Sequence, residues 1–126
     1  MINIKAYLKT LLNNDALKTK LGTKGKILAS YPSEVTVFPC VIYQENGQND
    51  IEFTDNLPEA ANVSVRVHIF TKTNSGYPTT SEVGNIVHNI FRNELWACTS
   101  NREMEEAEDN IRHRIMDFTR EFYRSF

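Results

Sequence analysis

Histidines, cysteines and carboxylates are the side chains with which a small domain does acid–base, nucleophilic or metal chemistry, and in this chain they are scattered. His68, His88 and His113 fall in none of the short spacings that put two imidazoles on one metal ion, so any site they form depends on tertiary proximity. Cys40 and Cys98 form no CxxC pair. They read as two reduced thiols, the usual state inside a cell. Five acids between Glu103 and Asp109 lack the alternating ligands and central glycine of a calcium loop and read as a solvated turn. "TNSGYP" (73–78) precedes a helix start but carries one glycine, and neither a phosphate loop nor a nucleophile elbow occurs. No catalytic residue, metal or cofactor is expected.

The clearest pattern is "NVSVRVHIFTKT" (62–73). Val63, Val65, Val67 and Ile69 alternate with Ser64, Arg66, His68 and Phe70, which gives a strand one aliphatic face and one mostly polar face. The aliphatic face is core. The face with Arg66 and His68 looks at water, a ligand or another copy of the protein.

The elements that position this strand follow from periodicity and punctuation. Ile4, Leu8, Leu11 and Leu12 mark an amphipathic helix over residues 2–13, and "DALKTKLG" is a short second helical stretch between Asp15 and Gly22. "KILASYP" and "VTVFPCVIYQE" predict strands at 26–31 and 35–45 that pair as a hairpin, with a bulge or open edge at Pro39. Residues 46–60, "NGQNDIEFTDNLPEA", predict a long loop, in which Ile51 and Phe53 sit at strand spacing without an evident place in the core. Val83, Ile86, Val87, Ile90 and Phe91 form one stripe, and Thr79 with Glu82 fits a capping box, so a helix is predicted over 80–94. Gly84 within it suits a close approach of another backbone. In "IRHRIMDFTREFYRSF" helix and strand periodicities compete. Arg112, Arg114, Arg120 and Arg124 gather positive charge there, either as a salt-bridged surface or as groups that pair between subunits.

A chain of 126 residues with 40% hydrophobic and 24% charged side chains is expected to form one domain, residues 1–126, with a core that needs no disulfide or metal. A net charge of -2 gives no basis for direct DNA readout, and no segment has the length and hydropathy of a membrane span. The start of the chain shows no export signal, so a cytoplasmic protein is expected. The fold class read from these elements is α+β: an antiparallel sheet of about four strands, a helix across one face and an additional N-terminal helix.

The ordered series of an N-terminal helix, "ILASYPSEVTVFPCVIYQEN", "FTDN", "NVSVRVHIFTK", "SEVGNIVHNIF" and "IRHRIMDFTREFY" resembles the small tail terminator or tail completion proteins of long-tailed bacteriophages and phage-like elements. The resemblance covers nearly the whole chain and rests on pattern, not on a catalytic motif. It implies a virion protein, made in the host cytoplasm, that forms a homo-oligomeric ring, a hexamer. The ring caps the tail tube, joins a head–neck connector protein, and lets DNA through its lumen without reading its sequence. It also favours a strand for the C-terminal segment. Residues expected at subunit contacts are Ile51, Phe53, Asp55, Arg66, His68, Arg112 and Arg114. The alternatives are another neck protein, for head closure or adaptor duty, or a monomeric intracellular assembly factor. An enzyme would need convergent polar residues that the sequence does not display.

Overall fold

The computed structural model describes residues 3–54, 57–104 and 110–123, with backbone alone for 50–54 and 57–59. Three helices and five strands follow in the order α1 (Ile4–Leu11), α2 (Asp15–Leu21), β1 (Lys26–Leu28), β2 (Cys40–Thr54), β3 (Leu57–Lys72), α3 (Thr80–Asn93), β4 (Ala97–Met104) and β5 (Ile111–Tyr123). The strands form one sheet in the order β1-β2-β3-β5-β4. The sheet therefore has five strands where about four were expected, and two helices precede it where one was counted as additional.

Each helix starts at a side chain that caps it. Asn3 accepts from the Ala6 amide, Asn14 from the Leu17 amide and Thr79 from the Glu82 amide, so each satisfies one donor that the helix itself cannot. The α3 stripe packs as its spacing predicts. Val83, Val87, Ile90 and Phe91 are buried in one cluster with Val63, Val65, Val67 and Ile69 of β3, and Ile86 packs against them. The helices α1 and α2 add Ile4, Leu8, Leu12, Leu17 and Leu21 to the same cluster. At its far end Phe91 stacks on Phe118 with ring centroids 4.2 Å apart. Trp96 and Tyr7 meet Phe122 edge-on, each at 5.5 Å. These are the offset and edge-to-face contacts that aromatic quadrupoles favour.

Four local expectations need correction. The segments at 26–31 and 35–45 are not a hairpin: β1 is three residues long and pairs parallel with β2, Lys26 opposite Cys40 and Leu28 opposite Ile42. Parallel neighbours need a crossover, and residues 29–39 supply it as a strap across the sheet. Pro39 lies outside the strand, just ahead of its first residue, where its missing N–H costs no ladder bond and its carbonyl accepts from the Lys26 amide at 3.2 Å. Most of the predicted loop at 46–60 is a hairpin arm. Its two long strands pair from Cys40 opposite Phe70 to Thr54 opposite Leu57, with register shifts between Glu45 and Gly47 and again between Asp50 and Phe53. Gly47, at φ +150°, takes the first shift, where a side chain is strained. Residues 102–104 of the acidic stretch belong to β4, and 105–109 lie outside the described residues. The C-terminal segment is a strand, β5, paired with β3 along 13 residue pairs from Ala60–Tyr123 to Lys72–Ile111.

Candidate functional site

The register fixes which side chains share a face. Residues directly opposite in an antiparallel pair point the same way. Gln44, Arg66 and Asp117 therefore form one row across β2, β3 and β5, with Ile42, His68 and Ile115 in the next and Cys40, Phe70 and His113 in the third. All three rows lie on the face opposite α3. This face, which carries the polar half of "NVSVRVHIFTKT", is where the question raised by Arg66 and His68 is decided.

Arg66 and Asp117 meet side by side. The Arg66 Nε donates to Asp117 Oδ1 at 2.8 Å and its Nη2 to Oδ2 at 3.3 Å, a two-pronged contact that suits a planar guanidinium. The hydrogen bond to Asp117 raises the Arg66 pKa further above its ordinary value, against the smaller opposing effect of burial. The partner of this arginine is thus inside the same chain.

His68 is buried at 7% exposure and His113 at 8%, and their rings touch through Nδ1 of His68 and Nε2 of His113 at 3.0 Å. On its other side the Nε2 of His68 lies 2.7 Å from Gln44 Oε1. Tyr31 of the strap places its ring edge-on to His68 at 4.9 Å, and Phe70 stacks on His113 at 4.0 Å. Removal from water pushes the His68 pKa down from 6.5 to about 4, helped by the charges of His113 and Arg66. The imidazole is neutral at pH 7.

The strap closes the rest of this face. Leu28, Val35 and Phe38 pack with Ile111 on buried Cys40, Ile42 and Phe70, and the Lys72 ammonium lies 5.0 Å from the centre of the Phe38 ring. Desolvation raises the Cys40 thiol to about 11, so under the strap it is an unreactive apolar side chain.

Arg114 and Arg112 lie on the other face. Their registered partners are Ile69 and Thr71, so β5 directs them to the α3 side, away from Arg66 and His68. Arg114 reaches over the start of α3, with Nε donating to Thr80 Oγ1 at 3.3 Å, Nη2 to Ser81 Oγ at 3.0 Å and Nη1 to Asn101 Oδ1 at 2.9 Å. A β-carbon at Gly84 would stand 3.2 Å from Arg114 Cδ, so the group packed against the helix glycine is a side chain and not the backbone that was expected there. Arg112 is exposed and donates to the carbonyl of Ile111 at 3.3 Å. Ile51 and Phe53 lie in the β2 half of the arm, described by backbone alone, and Asp55 lies outside the described residues.

The six expected contact residues that are described thus occupy three places: one face, the opposite face and the arm. His113, Gln44, Asp117 and Tyr31 were not anticipated at the site. The signal for His113 and Asp117 is the odd-numbered series His113, Ile115, Asp117, readable once the tail is taken as a strand. Tyr31 left no signal, because nothing local in the sequence says where a crossover lands.

The arm has a further property. β1 covers the outer side of β2 only at Cys40–Ile42, and no other strand pairs there among the described residues, so the edge from Tyr43 to Thr54 is open. β4 ends opposite Thr119, so Arg120–Tyr123 of β5 also extend past their outer neighbour. Among the described residues no group of three or more histidine, cysteine or acidic side chains is placed to hold a metal ion, and no helix is long and apolar enough to cross a membrane. The chain matches no protein-family profile, and no curated protein matches it.

Proposed function

We propose that the protein is a structural subunit of the tail terminator type: it assembles into a ring that caps a phage tail tube and joins it to the neck. The observation that carries the reading is the β2–β3 arm. Its strands run 15 and 16 residues, whereas β1 covers three residues of β2 and, among the described residues, β5 pairs with β3 only as far as Ala60. A two-stranded ribbon is marginally stable in water without a further surface to pack on. An open strand edge is also a row of unpaired donors and acceptors, ready to pair with another chain. A neighbouring subunit supplies both.

The polar rows under and beside the strap fit a scaffold. Arg66, His68 and Arg114 are engaged within the subunit, so they stiffen the body from which the arm projects. Virion location, the hexameric count, the tube and connector partners and DNA in the lumen belong to the proposal through the sequence resemblance. Light scattering of the purified full chain, alone and mixed with a polymerised tail tube protein, tests it. The expected result is a weakly associating chain that forms rings on tube ends visible by electron microscopy. A chain that stays monomeric and leaves tube ends bare at micromolar concentration overturns it and favours the monomeric assembly factor.

A further inference from the structure

The His68–His113 contact lies inside the subunit, away from the arm, and is unusual on its own terms. Two imidazoles whose nitrogens stand 3.0 Å apart share a single hydrogen between them. One added proton can be carried with the contact intact, but a second sets N–H against N–H between two cations. Both rings are nearly shut off from water, under Tyr31 on one side and against Phe70 on the other. Among the described residues, charged groups near them come from β3, β5 and β4. Arg66 of β3 opposes protonation, Asp117 of β5 favours it but is already engaged by Arg66, and Arg102 of β4 stands in register with Ile115. Cys40 of β2 is a neutral thiol in the same layer and Tyr31 of the strap a neutral phenol.

We propose that the His68–His113 pair is an acid-sensitive latch: neutral, it seats the 29–39 strap on the sheet, and protonated, it releases the strap while the helix-covered face stays folded. Hydrating a charged imidazole requires water where Tyr31 now sits, and the strap is the layer that can move. It has one short strand at one end and rests on few side chains, Val35 and Phe38 chief among them, whereas the opposite face is locked by three helices. Beside the histidines, the strap's departure uncovers the apolar cluster of Cys40, Ile42 and Phe70.

Cys40 reports the event, because it is fully buried under the strap. In a Cys98→Ser background, Cys40 is labelled with 4,4′-dithiodipyridine, which reacts with thiols in mild acid. Rates are normalised to an unstructured cysteine peptide at each pH, and Trp96 emission reports the opposite face. From pH 7 to pH 4.5 the normalised rate is expected to rise about tenfold or more, with Trp96 emission unchanged. His68→Gln and His113→Gln, each checked for folding at pH 7, are expected to flatten that rise. The imidazole nitrogen shifts of the wild type are expected to show titration in the same pH range as the labelling. A flat rate, a rise that appears only as Trp96 emission collapses, or histidines that titrate near pH 6.5 while Cys40 stays protected would each overturn the latch.

Discussion

The two faces of the sheet are built from the same three central strands and behave as different materials. On the α3 side, alternate residues of β3 belong to one apolar cluster, and Val63, Val65, Val67 and Ile69 are all at 0% exposure, so stability there comes from apolar area and close packing. On the strap side the intervening residues form an ion pair, a histidine pair and an amide contact beneath a single crossover. The contrast teaches that burial by itself does not say what a face is for. A dry face tolerates changes of pH and salt and punishes a polar atom, whereas a buried polar face is stable only while each group keeps its partner and its protonation state.

The largest break in the comparison is Val67→Asp. It buries an unpaired carboxylate between β3 and α3, a change of several kcal/mol against a total stability of about 5–15, and should leave no cooperative unfolding transition at 37 °C by circular dichroism. Ile86→Asp, on the half-buried flank of α3, should do the same to a lesser degree, and wild-type melting of both would show that the helix layer is not the core.

Acid should act next, and on the other face. His68 is neutral in the fold with its pKa held near 4, and it takes up a proton at its ordinary 6.5 when unfolded. The unfolded state therefore binds more protons between those values. Stability is full above about pH 6.5, falls as pH drops toward 4 and stops falling for this reason below it, a total on the order of 3 kcal/mol. Urea unfolding at pH 7 and pH 5 reads the slope. His68→Gln should lower stability at pH 7 and shallow the slope, and an unchanged slope would mean that another group sets it.

Asp117→Asn should cost less, about 1–2 kcal/mol, since Arg66 keeps one neutral acceptor and its side chain is still 35% exposed. The loss should shrink in high salt. The Lys20–Glu82 pair at 2.6 Å bridges α2 and α3 at the surface, with side-chain exposures of 38% and 48%. Its hydrogen bond and charge hold the Glu82 pKa below the usual carboxylate range, yet Glu82→Gln should leave the thermal midpoint where it is.

Much of the helix-covered face was legible in the sequence because one residue type repeats there with one period. The valine alternation, the α3 stripe and the Thr79 cap each point to a single element, and hydrocarbon packing needs nothing more specific. The polar face was harder. His68 and His113 are 45 residues apart, and their meeting depends on a register between β3 and β5 that no local pattern sets. The arm was missed as a strand pair because "NGQNDIEFTDNLPEA" is dominated by Asn, Asp, Glu, Gly and Pro, which carry no sustained apolar–polar alternation. Ile51 and Phe53 at strand spacing were its trace, and Gly47, which suggests a loop, marks a bulge. "ACTSNREM" was missed for a related reason: β4 is an edge strand with every second side chain at best half-buried, and its polarity hides its period.

The open edge of β2 ties the account to function, and amide exchange resolved by residue over Tyr43–Thr54 tests it most directly. Every second amide of that stretch points away from β3 and has no strand beside it. In the free chain these amides should exchange near the rate of an unstructured peptide, while those bonded to β3 are slower. In chains bound to tail tube ends the outward set should slow by at least about tenfold, as new strand pairing or packing covers the arm. Outward amides that are already slow in the free chain, or that stay fast after assembly, would contradict the arm as the surface through which the subunits join.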